Sequence, residues 1–377
     1  MKKVAIVAGT VAIIAGVSSV LQKYTNEKVS KLDYSTGSPE MYYDMETHEY
    51  YYYQLTSDID KENYRKLQEA ITNQDTNVKL KAVKTFDKIK TLTWFVLNDH
   101  PELFWFDNCK STVFITGNAS VNLTYTMTKE EIEQAKDDID TFLMDVKATC
   151  IKRSMTDYEK EVAIYNYISE HARFDSGVAI GERSDYTQSI WSVVQGKTVC
   201  RGFSLMFKYI CNKYNIPCIV VTGATGKDLE VNNKTINHGW NEVMIDGDWY
   251  IADLTDSRRS VRDQRFGTTF YQFNITTDTL LNYASINTTA IVPECTSTKY
   301  DYYKMSNTYF EEADIEKFNQ LVEERNKSND KRTHYLAVRC ANDEIFNKLI
   351  NDIREKGEFK NDRIYDNSNL NVIKVWW

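Results

Sequence analysis

Two residues, Asp246 and Gly247, constrain this chain more than any other feature. They sit between two alternating apolar segments in NHGWNEVMIDGDWYIADLTD (237–256), and Asp-Gly is a pair that favours a two-residue hairpin turn. The turn predicts antiparallel strands over 239–245 and 248–254. Pairing about it sets Ile245 opposite Asp248 and Trp240 opposite Asp253, so His238 falls one diagonal step from Asp253 on the same face. Diagonal neighbours in an antiparallel pair are about 7–8 Å apart, within reach of a histidine and a carboxylate. A three-residue loop would reverse the parity and part them.

A second stretch, KTVCRGFSLMFKYICNKYNI (197–216), repeats apolar residues at helical spacing: Phe203, Met206, Phe207, Ile210 and Tyr214. This predicts a helix that starts at or just after Cys200 and stops before Pro217, followed by a short β-branched strand over 218–222. A thiol at a helix N-terminus faces unsatisfied N–H groups and the positive end of the dipole, which favours the thiolate. Cys211, about three turns further along the same helix, reads as packing. A thiol, a histidine and a carboxylate are the parts of a nucleophile, base and orienter set. In that reading His238 takes the proton of Cys200, Asp253 fixes the imidazole tautomer and the thiolate attacks an amide carbonyl. Each of the three also has an ordinary structural use when taken alone: a buried thiol, a satisfied histidine, a strand-end carboxylate.

VCRGFSLMFKYICNKYNIPCIVVTG, NHGWNEV and WYIADLT together resemble, in order and separation, the three blocks of the transglutaminase-like superfamily of papain-like thiol enzymes. In that family the blocks run Cys-x-Gly/Asp-aromatic-small, His-small-Trp and Trp-x-x-x-Asp-x-Thr. The resemblance implies Cys200 as nucleophile, His238 as base and Asp253 as orienting acid, with Gly239 where alanine is usual. It is clearest over 165–276. NDHPELFWFD and YQFNITTD are similar to segments flanking this core in exported bacterial members, a weaker likeness over 46–278. The implied fold is α+β: a papain-like, transglutaminase-like core with the nucleophile helix packed on an antiparallel sheet, beside an N-terminal α/β region and a small C-terminal α/β unit. The implied chemistry is a thioester resolved by water, as in a peptidase or deamidase, or by an amine, as in a cross-linker. The Cys200 N–H and the Gln188 side chain are the expected oxyanion donors, and Trp240 is expected to pack over the site; a surface glutamine and a core tryptophan are the plainer uses. The competing expectation is a surface-displayed binding or assembly module with little turnover.

Charge and cysteine usage narrow the classes further. Lys and Arg total 46 against 54 Asp and Glu, a net charge of -8, and no long basic run follows the N-terminus, which argues against a nucleic-acid partner. The chain opens MKKVAIVAGTVAIIAGVSSVLQKY, with two lysines and then an uncharged run from Val4 to Leu21, the pattern of an export signal. It is expected to remain as a single-pass anchor or to be cleaved near Val17-Ser18-Ser19, and it holds no cysteine for a lipid anchor. Either fate places the remainder outside the membrane, where wall peptides or surface proteins are natural protein or peptide substrates. The seven cysteines are an odd number without C-x-x-C spacing, so neither a zinc site nor a thioredoxin motif is indicated, and one thiol at least lacks an internal partner. EF-hand, phosphate-loop and dinucleotide fingerprints are missing from the sequence, and no cofactor is expected.

Along the chain the expected organisation is a signal or anchor (1–22), a polar linker (23–45), an N-terminal helical and β region (46–150), the catalytic core (151–290) and a C-terminal α/β unit (300–377). Helices are predicted over 58–71, 81–97, 128–149, 157–171, 311–326 and 343–356, a hairpin over 111–116 and 119–126, and strands over 334–340 and 371–377. Thr128 and Glu131 form a capping-box pair, with Ile132, Ala135, Ile139, Phe142 and Met144 as the apolar face. The tyrosine-rich runs at 48–55 and 299–305 are expected as strands or amphipathic surface. The C-terminal unit is expected to be a packing accessory.

Overall fold

A computed structural model describes residues 7–9, 42–175, 177, 188–225, 237–255, 268–286, 290–329, 334–356, 359–360 and 363–377. The elements, in chain order, are β1 (Val7–Gly9), α1 (Asp58–Asn73), β2 (Asn77–Leu80), α2 (Phe86–Asp99), β3 (Phe106–Val113), β4 (Ala119–Tyr125), α3 (Lys129–Thr149) and α4 (Asp157–His171). They continue with β5 (Arg173–Phe174), α5 (Ile190–Val194), β6 (Lys197–Thr198), α6 (Cys200–Lys213), β7 (Cys218–Thr225), β8 (His238–Ile245) and β9 (Asp248–Ala252). The remainder are β10 (Phe273–Ile275), α7 (Thr277–Leu281), β11 (Ala284–Ile286), α8 (Tyr302–Met305), β12 (Tyr309–Phe310), α9 (Ile315–Asn326), β13 (Tyr335–Cys340), α10 (Asp343–Lys356), β14 (Ile364–Asn367) and β15 (Val372–Trp376).

The α+β expectation holds: α6 packs across β7 and β8 of an antiparallel five-stranded sheet, ordered β10-β9-β8-β7-β11. The helix forms because one stripe is apolar; Met206, Phe207 and Ile210 are fully buried and Phe203 nearly so, each contributing about 1.5–3 kcal/mol by leaving water. Tyr214 ends the helix, half-buried at the C-cap. The hairpin takes the expected register, Ile245 to Asp248 through Asn241 to Ala252. Asp246 and Gly247 both have positive φ, +53° and +88°, as a type I′ turn requires.

Of 1–41, only Val7–Gly9 is described, and its backbone pairs antiparallel with residues 111–113 at the edge of a sheet ordered β1-β3-β4-β2. Apart from Val7–Gly9, the expected signal or anchor (1–22) and most of the linker lie outside the described residues. Among the described residues no helix is long and apolar enough to cross a membrane. The region 46–150 and the region 151–290 share one continuous buried cluster, from Tyr42 to Cys295. The C-terminal part has its own, between α9, α10 and a mixed sheet ordered β12-β13-β15-β14.

The two tyrosine runs differ from expectation. Tyr50 and Tyr51 are fully buried, beside a 3₁₀ turn at Tyr52–Gln54, and Tyr302–Met305 is a helical turn with Tyr303 buried. Their hydroxyls are satisfied from a distance, as Tyr51 donates to the Val220 carbonyl and Tyr50 to that of Ile291, which sequence spacing does not reveal. Met144 is exposed, because Val146 instead completes the buried stripe of α3.

Candidate active site

Local chemistry places the thiol. Cys200 is the first residue of α6, and the preceding Val199 supplies no side-chain cap, so the N–H groups of the first turn are not taken by a capping side chain. The segment before the helix closes tightly on that turn: the Ser192 and Thr198 hydroxyls are 2.6 Å apart, and a Cβ on Gly202 would meet Thr198 Oγ1 at 1.9 Å. Only glycine lets α5 and β6 approach the head of the helix so closely.

Helix and strand are then stitched together. Ser204 Oγ donates to the Cys200 carbonyl at 3.0 Å and lies 3.2 Å from that of Gly239. Asn241 Nδ2 donates to the carbonyls of Ser204 at 2.9 Å and Ile219 at 3.2 Å. These bonds set the start of β8, and hence His238, beside the start of α6.

His238 Nε2 lies 2.5 Å from Asp253 Oδ2, and the same imidazole is in side-chain hydrogen-bond contact with Cys200. With Nε2 engaged by the acid, Nδ1 is the nitrogen left for the thiol. Asp253 is almost fully buried; its Oδ1 accepts the Thr255 N–H at 2.9 Å, its N–H donates to the Gln272 carbonyl at 2.9 Å, and its own carbonyl accepts Tyr165 Oη at 2.9 Å. Burial disfavours the imidazolium, but the Asp253 carboxylate and Cys200 outweigh it and hold His238 well above its ordinary 6.5. Burial likewise opposes the charge on Asp253, and His238 and Thr255 overcome it, keeping the carboxyl below its ordinary value.

Trp240 is fully buried with its ring centroid 6.0 Å from that of His238, so it packs against the base. Gln188 lies outside this chain of contacts. It precedes Ser189, whose carbonyl would be 3.0 Å from a Cβ on Gly202, so it sits beside the head of α6 with a buried Oε1 that has no hydrogen-bond partner among the described residues.

Sequence reading missed two neighbours of the set. Tyr165 reaches Asp253 from α4, and Arg201 turns inward, donating to Asn98 Oδ1 on α2 at 2.8 Å. Burial pushes the Arg201 guanidinium down to about 10, against the pull of Cys200 and Tyr51. Neither partnership leaves a local signal, since the partners are 88 and 103 residues away. Among the described residues no group of three or more His, Cys, Asp or Glu could hold a metal ion.

Residues 144–254 match the profile of the Transglutaminase-like superfamily. These residues form a transglutaminase-like domain. Kyphoscoliosis peptidase from Homo sapiens is 25% identical over 128 residues, 32% of this chain and 18% of that protein. The Mus musculus protein of the same name is 23% identical over 120 residues, 30% of this chain and again 18% of the relative. The chain thus spans under a fifth of the length of these curated relatives. A solved structure described as a TGase shares 18% identity with a TM-score of 0.28, covering 42% of this chain and 47% of that one. The matched residues include Cys200, His238 and Asp253.

Proposed function

We propose that the chain is a thiol enzyme in which Cys200 attacks the carbonyl of a peptide or glutamine side-chain amide, with His238 as base and Asp253 as its orienter. The observation that carries this reading is the 2.5 Å contact of His238 Nε2 with Asp253 Oδ2, with Cys200 a neighbour of the same imidazole. The raised basicity of His238 supports a thiolate and imidazolium ion pair, the form in which a cysteine attacks. Attack forms the S–C bond; the oxyanion is met by the Cys200 N–H and the Gln188 side chain, and collapse expels an amine that takes its proton from His238. The thioester is then resolved by water, giving peptidase or deamidase action, or by a lysine amine, giving a cross-link. The substrate is a protein or peptide, and export past or anchoring in a membrane through 1–22 would bring wall peptides or surface proteins within reach. A display module with little turnover is the alternative, and a thiol, base and acid in contact favour catalysis over it.

Selective alkylation tests the reading. At mildly acidic pH iodoacetamide should modify Cys200 ahead of the six other thiols, and His238→Ala should abolish that preference. A Cys200 no more reactive than the rest would reject the enzyme. Mass spectrometry of a glutamine peptide incubated with and without an added amine then separates transfer from hydrolysis.

A further inference from the structure

The C-terminal unit reaches the acid of the site through one buried arginine. Arg339 on β13 donates through Nη2 to the carbonyl of Tyr271 and pairs through Nη1 with Asp301, and both charged residues are buried. The carbonyl one residue further along, that of Gln272 in the turn just before β10, accepts the N–H of Asp253 at 2.9 Å. Two successive carbonyls are therefore held, one by the C-terminal unit and one by the residue that carries the acid.

The surroundings pack this turn tightly. Tyr271 stacks on Tyr365 of β14 at 5.4 Å and 14°, and shares an apolar cluster with Tyr303, Leu370 and Val372. Phe270 stacks on Tyr302 at 3.8 Å and 6°. Asp301, the partner of Arg339, also caps α8, accepting the Tyr303 N–H at 2.8 Å. A buried fork that satisfies a carboxylate and a carbonyl together is directional, and losing it removes a charged donor from both.

We propose that Arg339 is a positioning residue for the His238–Asp253 pair, acting through the Tyr271–Gln272 turn that leads into β10, so that the C-terminal unit is a working part of the site. This rests on the triad reading above. A small displacement of Asp253 weakens its bond to His238, and misplacement on the ångström scale costs a catalytic site about a hundredfold.

The test uses the full chain and the pH profile of Cys200 alkylation by iodoacetamide, which reports the coupling of thiol, imidazole and acid. Arg339→Met should move the midpoint of the profile to higher pH and slow alkylation at neutral pH by about tenfold or more. Tyr365→Leu, which loosens the same interface but leaves the donor to the Tyr271 carbonyl in place, should lower the melting temperature and move the midpoint much less than Arg339→Met does. Arg339→Lys keeps a cation for Asp301 without the fork and should give an intermediate shift; it carries the test if Arg339→Met does not fold. A folded Arg339 variant with an unmoved midpoint overturns the proposal, as does an equal shift in Tyr365→Leu. An unreactive Cys200 in the unsubstituted chain would instead overturn the triad reading on which the proposal stands.

Discussion

Glu161 shows how burial, rather than residue type, decides behaviour at the scale of one side chain. It is fully buried on α4, and burial pushes its carboxyl up to about 8, only partly countered by Asn274 Nδ2 at 2.9 Å. Between the ordinary 4.5 and about 8 the unfolded chain has lost this proton while the folded chain keeps it. The unfolded state then binds fewer protons, so this group makes stability fall as pH rises through that window. Glu161→Gln keeps the acceptor for Asn274 without the proton, and its melting temperature should decline less from about pH 5 to about pH 8 than that of the unsubstituted chain. Parallel declines would show that Glu161 titrates as an ordinary carboxylate. The same logic applies to Cys211, whose thiol burial raises well above its ordinary value.

At the scale of elements, the parts that local signals specify matched the structure closely. Helices α3 and α4 begin after Thr128 and Thr156 and run to Thr149 and His171, each with both bonds of a capping box. The hairpin register followed from two residues, because only a two-residue turn fits Asp246 and Gly247 with both φ positive. Elements whose reason is tertiary were less legible. Strand β3 starts at Phe106 rather than 111, since FDNCK does not alternate and is held by pairing with β4. Strand β14 carried no pattern of its own and exists by pairing with β15. The contact of α5, β6 and α6 yields a prediction: in Gly202→Ala the new methyl would meet Thr198 Oγ1 at 1.9 Å and Ser192 Oγ at 2.8 Å. Relieving it should cost about 1–3 kcal/mol of stability and move the head of α6, abolishing preferential alkylation of Cys200. Unchanged melting and reactivity would mean that the loop yields freely.

At the scale of the molecule, the N-terminal region is welded to the catalytic core by buried polar groups. Lys208 of α6 is fully buried and donates to the carbonyls of His48 at 3.0 Å and Cys218 at 3.1 Å. Asp99 of α2 accepts the N–H groups of Tyr50, Tyr51 and Tyr52 and the Tyr64 hydroxyl. Burial lowers the basicity of Lys208, and the Asp99 carboxylate opposes that loss. Lys208→Ala removes both donors and opens a cavity, so chemical denaturation should show a loss of about 3 kcal/mol, with a smaller loss in Lys208→Met, which keeps most of the volume. Equal stability in all three would place Lys208 among the dispensable groups.

By itself the sequence determined the nucleophile helix, the hairpin and the parity that puts His238 and Asp253 on one face. Each rests on interactions between residues near in the chain, where spacing is geometry. Tertiary structure alone decided that Tyr165 and the Gln272 carbonyl hold the Asp253 backbone, that Arg201 turns toward Asn98, and that Arg339 grips the turn next to the acid. Those contacts join residues tens to more than a hundred positions apart. No periodicity encodes them, because what selects them is the cost of leaving a buried polar group without a partner.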